Sequence, residues 1–404
     1  MPVTCGSGRW CRSAGARQCG DHAAQARTLT ILGSIYGRQG QYGQATACHT
    51  EAIALAREAG DRLTQVWALG NLALIHDQQG RYAQAARCNR QAIALYTELG
   101  DVTGEAIALT NLGLVYLRQG RYQRAVRQLN DAISRYRQLG HRFGEAAALT
   151  NLGQVRYRLG QYQQATDDQA RAVTLAREIG SPRVEAWALT RLSEVRCRQG
   201  LHEQAAGSYR QALELFREAA DRDGEAEALN GSGENLRAAG QHGEARPFHD
   251  SALTLTRQTG GKREQARALT GLGEICHQQG QHDQAIALYQ EALALCREIG
   301  DPSGEAEALI STGETRLAAG QASRAHACHT AALAVARRTG ERYQQARAHH
   351  GLASACDATG QHGSGREHWQ RALDIYTSLG VPEAAQIPTI IAGPAPVPGD
   401  ESRG

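Results

Sequence analysis

The sequence predicts an all-α fold of nine helical hairpins in tandem, and two periodicities indicate it. Glycine recurs every 40 residues from Gly40 to Gly360. A second glycine series lies midway, from Gly60 to Gly380, with Ala220 as its one exception. Breakers every 20 residues leave segments of about 16 residues, a usual helix length. The segments carry apolar residues at helical spacing and lack the alternation typical of a strand.

The stretch ALTNLGLVYLRQGRY, residues 108–122, shows how one repeat is built. Leu109, Leu112 and Tyr116 lie on one face of a first helix, and Tyr122 opens the second helix after the turn. Glycine at each turn can take the left-handed conformation that ends a helix. An aspartate after the glycine between repeats can cap the next first helix. These candidate caps are Asp61, Asp101, Asp221 and Asp301.

Small residues are the most regular feature of the repeat. In the third repeat Ala125 and Ala132 lie seven residues apart on one helix face, and Ala or Gly fills both positions in every repeat. The position of Gly113 is Gly, Ala or Ser throughout. Larger side chains there would overpack the interface. The pattern therefore predicts paired helices that approach closely.

This pattern resembles the tetratricopeptide repeat (TPR) family. It is carried here by Leu109, Leu112, Gly113, Tyr116, Ala125 and Ala132. The resemblance covers about residues 21–380 and implies a right-handed superhelix with a concave groove lined by the first helices. The period is 40 rather than 34, and Arg137 stands where the family usually has proline. This long form is similar to the repeats of kinesin light chain. It also resembles C-terminal arrays of high-GC bacterial antibiotic-regulatory proteins, which follow a STAND-type ATPase domain.

The predicted organisation has three parts. The array divides into 21–60, 61–100, 101–140, 141–180, 181–220, 221–260, 261–300, 301–340 and 341–380. Residues 1–20 are a poorly ordered segment or a degraded half-repeat, and a linker or a misplaced start remain open. Residues 381–404 carry five of the nine prolines and are expected to form a disordered tail.

Composition narrows the class of partner and the compartment. A net charge of +3 over 404 residues argues against a strong nucleic-acid partner. No apolar run is long enough for a signal peptide or a membrane span. The ten cysteines lack the spacing of a disulfide framework, which favours reduced thiols in the cytoplasm.

Enzyme motifs are absent from the sequence. The single lysine, Lys262, is followed by Arg263, whereas a phosphate-binding loop needs Ser or Thr there. The HEQAA stretch at His202 lacks the second histidine of a zinc protease. His326 and His329 could hold a metal, but other repeats carry ordinary core residues at these positions. We therefore predict no enzyme, no cofactor and no metal site.

Asparagine recurs in the middle of three first helices, where it is a poor helix former. It occupies Asn71, Asn111 and Asn151, and Arg191 takes the position in the next repeat. An amide side chain can both donate to and accept from a peptide backbone. In TPR adaptors that share this motif, the asparagine holds an extended peptide in the groove. The alternative is that each amide bonds to a local backbone group or faces water.

Two further groups of residues are predicted to face the groove. The charged positions are Arg38, Arg118, Arg158 and Arg198 in the N-terminal half, then Glu194, Glu234, Glu274 and Glu314 in the C-terminal half. Such a gradient would orient an extended ligand and speed its encounter. A solvated helix face is the alternative. Trp67 and Trp187 could anchor apolar side chains.

The sequence thus predicts a non-enzymatic, cytoplasmic scaffold that binds a protein or peptide in its groove, in regulation or complex assembly. The asparagines would hold the ligand backbone, and Arg118 and Arg158 would meet acidic groups. One alternative is a peptide-sensing regulatory module. Another is the C-terminal sensor fragment of a larger STAND-ATPase transcriptional regulator. Nucleic-acid and membrane partners are not expected, and no oligomeric state is predicted.

Overall fold

The computed structural model describes residues 21–385 and Ile387. Residues 1–20 and 388–404, which include most of the predicted tail, lie outside the described residues. The chain divides into two compact units, Met1–Asn151 and Leu152–Gly404. We call them the N-terminal unit and the C-terminal unit, and each is considered by itself.

Within the described residues, eighteen α-helices form nine hairpins, and no strand occurs. They are α1 His22–Arg38, α2 Tyr42–Glu58, α3 Arg62–Gln78, α4 Tyr82–Leu99, α5 Val102–Arg118, α6 Tyr122–Gln138, α7 Arg142–Arg158, α8 Tyr162–Glu178, α9 Pro182–Arg198, α10 His202–Glu218, α11 Arg222–Ala238, α12 His242–Thr259, α13 Lys262–Gln278, α14 His282–Ile299, α15 Pro302–Ala318, α16 Ala322–Thr339, α17 Arg342–Ala358 and α18 His362–Leu379. Odd-numbered helices are the first helices of the repeats. The predicted all-α array of hairpins is confirmed.

The predicted caps hold the start of the first helices. The Asp101 carboxylate accepts from the backbone N–H of Gly104 at 2.9 Å, and Asp61 and Asp221 accept equivalent bonds three residues ahead. Asp301 accepts from both Ser303 and Gly304. Each bond satisfies an N–H group that has no partner inside its helix.

Small residues on the first helices admit large side chains from the second helices. A Cβ on Gly113 would lie 2.7 Å from Leu129, and one on Gly33 would lie 2.8 Å from the ring of His49. Both distances are shorter than real Cβ contacts. Ala125 and Ala132 are fully buried across the same interface. The close hairpins predicted from the small residues are therefore present.

Arginine near the end of several second helices bridges to the next first helix. Arg177 Nε lies 2.6 Å from Glu185 Oε1, eight residues ahead. Other pairs with the same spacing are Arg137–Glu145, Arg217–Glu225 and Arg297–Glu305. These arginines are half-exposed or more, so each pair contributes about 0–1 kcal/mol. They mainly orient one repeat against the next.

The beginning of the predicted tail packs against the array. A 3₁₀ helix, Pro382–Ala385, follows α18. Val381 is 4% exposed and Ile387 is fully buried, and both belong to a core cluster of the C-terminal unit. Val381 and Ile387 therefore pack into the core of this unit.

Ala220 has the left-handed backbone that glycine adopts at the equivalent turns, so a change at this residue tests how much those glycines stabilise the fold. Ala220 is the only described non-glycine residue with positive φ, at 52°. This conformation costs an L-residue roughly 1–2 kcal/mol, and glycine avoids most of that cost. We expect Ala220→Gly to raise the free energy of unfolding in urea by about 1 kcal/mol. The matched change Gly180→Ala, at φ 63° in open space, should lower it by a similar amount. Equal stability of both variants and the wild type would contradict this account.

Three second helices bury a histidine at the same position. His49, His249 and His329 are fully buried and pack against glycines of the first helices. Neither ring nitrogen of His49 or His329 has a hydrogen-bond partner among the described residues. Burial lowers the pKa of His49 and of His329 to about 4, and that of His249 to about 3. The folded protein therefore holds these rings neutral.

Acid should destabilise the array through these histidines. A histidine whose pKa is depressed by folding stabilises the fold above its unfolded pKa of about 6.5, and this contribution is lost as the pH falls toward 4. We expect urea stability to fall by roughly 2 kcal/mol per histidine between pH 7 and pH 5. His329→Leu, which copies Leu129 of the third repeat, should reduce that loss. An unchanged pH profile in the variant would show that His329 does not carry the effect.

Candidate functional site

Each first helix has a side that faces away from its hairpin partner. In α3 this side carries Trp67, Asn71, Leu74 and Gln78, at helical spacing. Leu72 and Ala73, on the opposite side, belong to a core cluster shared with the second helix. We call the four positions equivalent to residues 67, 71, 74 and 78 the inner face.

The inner face of the N-terminal unit exposes large apolar side chains. Trp67 is 51% exposed and Leu74 is 55% exposed, and Ile31 and Ile107 are similarly open. Eleven large apolar side chains are exposed among the described residues, and all but Leu201 belong to the N-terminal unit. Contiguous exposed apolar side chains on a folded protein are typical of interaction sites.

The three predicted asparagines all lie in the N-terminal unit. Asn71 donates to the hydroxyl of Ser34 on α1 at 3.1 Å, so it links two neighbouring first helices. Asn111 is exposed between Ile107 and Leu114, and no hydrogen bond of its side chain occurs within the described chain. Asn151 is half-buried. The Asn111 amide thus has both donor and acceptor available to a ligand.

The two predicted arginines of the N-terminal unit, Arg38 and Arg118, differ in their contacts. Arg38 is exposed at the end of α1. Arg118 forms an ion pair with Asp77 of α3. Its positive charge is therefore already balanced by a neighbouring first helix.

In the C-terminal unit the inner face is occupied by its own ion pairs. Arg191 contacts Glu194 at 3.1 Å and also Glu227. Arg267 lies 2.9 Å from Glu234. Burial raises the pKa of Glu227 against the pull of Arg191. Burial alone would also raise the pKa of Glu234, but the Arg267 guanidinium lowers it below its usual value.

The remaining predicted glutamates also have arginine partners. Glu274 pairs with Arg237 and accepts a hydrogen bond from Ser311 at 2.9 Å. Glu314 accepts from Arg347 at 3.0 Å. The acidic half of the predicted gradient is thus compensated by arginines within the same unit.

In the C-terminal unit, aromatic and histidine rings occupy the space that asparagine side chains occupy in the N-terminal unit. At the position equivalent to Asn111, a Cβ on Gly231 would meet the Tyr209 hydroxyl at 2.5 Å, and one on Gly351 would meet His329 at 2.2 Å. An asparagine could not fit at these positions. Trp187 packs edge-on against Phe216 with ring centroids 5.2 Å apart, and Arg191 lies 5.7 Å from its ring centroid.

Arg158 and Arg198 join distant repeats of the C-terminal unit. Arg158 donates to Ser303 and lies 3.8 Å from Glu341. Arg198 donates to the Tyr157 hydroxyl at 2.9 Å and stacks over the Tyr343 ring at 4.2 Å. Both arginines are thus engaged within their own unit.

The described parts of the chain contain neither a cluster of potential metal ligands nor a membrane-spanning helix. No group of three or more His, Cys, Asp or Glu side chains is placed to hold a metal ion there. His329 is buried in the core, whereas His326 is exposed. No described helix is both long and apolar enough to cross a bilayer.

A family model described as "Tetratricopeptide repeat" matches the chain in overlapping segments that span most of its length. The matches are 24–98, 67–138, 104–178, 144–218, 184–258, 224–298 and 264–338. The chain belongs to the tetratricopeptide repeat family. No curated protein sequence matches it.

Solved structures share the fold of this TPR array at low sequence identity. A Rap protein complexed with competence and sporulation factor has 14% identity and a TM-score of 0.63, over 89% of this chain and 99% of that one. The Rap conjugation gene regulator of plasmid pLS20 with the Phr* peptide has 14% identity and a TM-score of 0.61, over 80% and 96%. The apo form of RapI has 13% identity and a TM-score of 0.56, over 68% and 98%. At such identity the likeness concerns the fold.

Sequence reasoning missed two features of the TPR inner face. It did not include Ile31, Leu74 and Ile107, although their register on the first helices could have identified them. It also missed the arginine partners Arg237, Arg267 and Arg347. Arg267 and Arg347 occupy the position of Trp67, so a comparison of equivalent inner-face positions could have found them.

Removal of Arg267 should strongly destabilise the array. Arg267→Ala leaves several half-buried or buried glutamates without their shared partner, and breaking such a network costs roughly 3–5 kcal/mol. Arg263→Ala removes a more exposed ion pair with Asp301 and should cost less than about 1 kcal/mol. Urea unfolding followed by circular dichroism measures both changes. Similar losses in the two variants would contradict the proposed network.

Proposed function

We propose that this TPR array is a non-enzymatic, cytoplasmic protein that binds an extended protein segment or peptide on the inner face of its N-terminal unit. The exposure of Trp67, Leu74 and Ile107 beside Asn111 carries the proposal. These side chains would remain in water without a partner. The inner face of the C-terminal unit does not require a partner in the same way, because its charged side chains form ion pairs with one another.

The ligand would be held by two kinds of contact. Asn71, Asn111 and Asn151 would bond to its backbone, since an amide offers both a donor and an acceptor. Alternate side chains of an extended segment project about 6.6 Å apart on one face. Trp67, Leu74 and Ile107 would receive such apolar side chains. Aromatic anchors of this kind often dominate binding energy.

Charge has a smaller part in this proposal than the sequence suggests. Arg118 and Arg158 have acidic partners in the chain, so we assign neither to the ligand. Arg38 is exposed and would guide an acidic segment toward the face. The proposed ligand is therefore mainly apolar.

A second candidate is a peptide-sensing regulator. The contacts of Arg158 and Arg198 with the eighth and ninth repeats favour it, because their loss would change the curvature of the C-terminal unit. Two structures with the same fold are of a Rap protein complexed with a competence and sporulation factor and of a Rap conjugation gene regulator in complex with a peptide. Peptide-dependent compaction in small-angle scattering would support sensing, and unchanged dimensions would favour a passive scaffold.

The long repeat also supports a finer relationship. The 40-residue period, with Arg137 where the family usually has proline, makes the repeat resemble those of kinesin light chain and of the arrays that follow STAND-type ATPase domains. We propose that the chain belongs to this long type. A reading frame encoding a phosphate-binding loop directly upstream of Met1 would support the fragment hypothesis, and its absence would contradict it.

Peptides selected from a random 12-residue phage library against the full chain provide the probe. Trp67→Ala should weaken a selected peptide about 10- to 100-fold, because it removes an apolar anchor. Asn71→Ala, Asn111→Ala and Asn151→Ala together should weaken it at least about tenfold, with an unchanged helical spectrum. Calorimetry measures each affinity.

The controls are Leu99→Ala and Leu139→Ala, two exposed apolar residues at the ends of second helices. Both should bind selected peptides with wild-type affinity. Peptides that lose binding only in these controls, or that bind all variants equally, would refute the assignment of the inner face.

A further inference from the structure

The segment that follows the last helix departs from the repeat at its first residue. Val381 stands where earlier repeats place a helix-capping aspartate, such as Asp221 or Asp301. A valine side chain cannot cap the turn that follows, a 3₁₀ helix over Pro382–Ala385. We call the described residues 381–385 and Ile387 the C-terminal segment.

The apolar side chains of the C-terminal segment, Val381 and Ile387, lie in a core formed by both ends of the C-terminal unit. Val381 and Ile387 share a buried cluster with Tyr162 of α8 and Val195 of α9. The same cluster includes Trp369, Tyr376 and Leu379 of α18. The C-terminal segment thereby adds to the direct contacts of the fourth and fifth repeats with the ninth, which Arg158 and Arg198 make with Glu341 and Tyr343.

A polar contact lies beside this core. The Tyr343 hydroxyl donates to the Glu383 carboxylate. Arg198 stacks on the same Tyr343 ring at 4.2 Å, so a positive charge lies close to the site that receives the carboxylate. The C-terminal segment thus presents the apolar Val381, the carboxylate of Glu383 two residues later, and the apolar Ile387 four residues after Glu383.

The backbone of the C-terminal segment has few ties to the array. Val381 N–H donates to Tyr376 at 3.3 Å, and Ala384 N–H donates to Val381 within the segment. Among described residues, no backbone hydrogen bond joins the segment to α8, α9 or α17. Its attachment there depends on side chains, as in a bound peptide.

We propose that Tyr157, Tyr162, Val195, Arg198 and Tyr343 form a second binding site, specific for a short apolar–x–Glu–x–x–x–apolar segment. The C-terminal segment occupies this site within the chain as a displaceable ligand. A free segment of the same chemistry competes with them and loosens the contact between the fourth, fifth and ninth repeats. This site is separate from the inner face of the N-terminal unit and does not depend on its function.

A labelled peptide of residues 380–390, GVPEAAQIPTI, is the probe for the site. In the full chain the tethered segment has an effective concentration on the order of millimolar, so the labelled peptide should bind poorly. The full-length variant V381S/I387S weakens the tethered segment and should bind the peptide at least about tenfold more tightly than the wild type does. Fluorescence anisotropy measures both.

A matched variant, L99S/L139S, makes the same chemical change at exposed positions and should bind like the wild type. A peptide carrying the two serines should not bind any of the proteins. Equal peptide affinity of V381S/I387S and wild type, with helical content retained, would overturn the proposal.

If V381S/I387S loses its helical spectrum, the wild-type chain supplies the decisive result. Unlabelled peptide at several millimolar should accelerate hydrogen exchange at the amides of residues 381–385, because it displaces them. The serine-substituted peptide should have no effect. Unchanged exchange with the native peptide would overturn the proposal without any variant.

Discussion

The contact between a small residue on each first helix and a large side chain sixteen residues later determines most of this structure. Gly113 receives Leu129, and Gly233 receives His249 in the same way. Because this contact fixes each hairpin, the opposite side of the first helix takes no part in forming it. Stability then accumulates from neighbouring repeats. The residues of the inner face can therefore differ between repeats, and they do differ between the N-terminal unit and the C-terminal unit.

The two units use the same inner-face positions for opposite purposes. In the N-terminal unit these positions hold exposed Trp67, Leu74 and Ile107 around Asn111. In the C-terminal unit they hold glutamates and arginines that balance one another, and Tyr209 and His329 fill the place of the asparagine side chain. A buried charge network is costly to expose, whereas exposed apolar side chains gain free energy on burial. We propose that this physical difference directs ligand binding to the N-terminal unit.

Much of the fold could be predicted from the sequence, because a 40-residue period makes the local signals repeat. The hairpins, the aspartate caps and the small-residue contacts all follow from such signals. The pairing of Arg267 with Glu234 could not be read from one repeat, since it joins residues 33 positions apart. The packing of Val381 and Ile387 was also hidden, because a proline-rich segment carries no periodic signal and its core lies in distant repeats.

Hydrogen exchange of the full chain with and without a selected peptide tests the central claim most directly, because it locates the contact on the helices. Slower exchange in α3, α5 and α7, with α11, α13 and α15 unchanged, is the result expected for an open N-terminal inner face and a self-balanced C-terminal one. Slower exchange confined to α11, α13 and α15 would contradict the account.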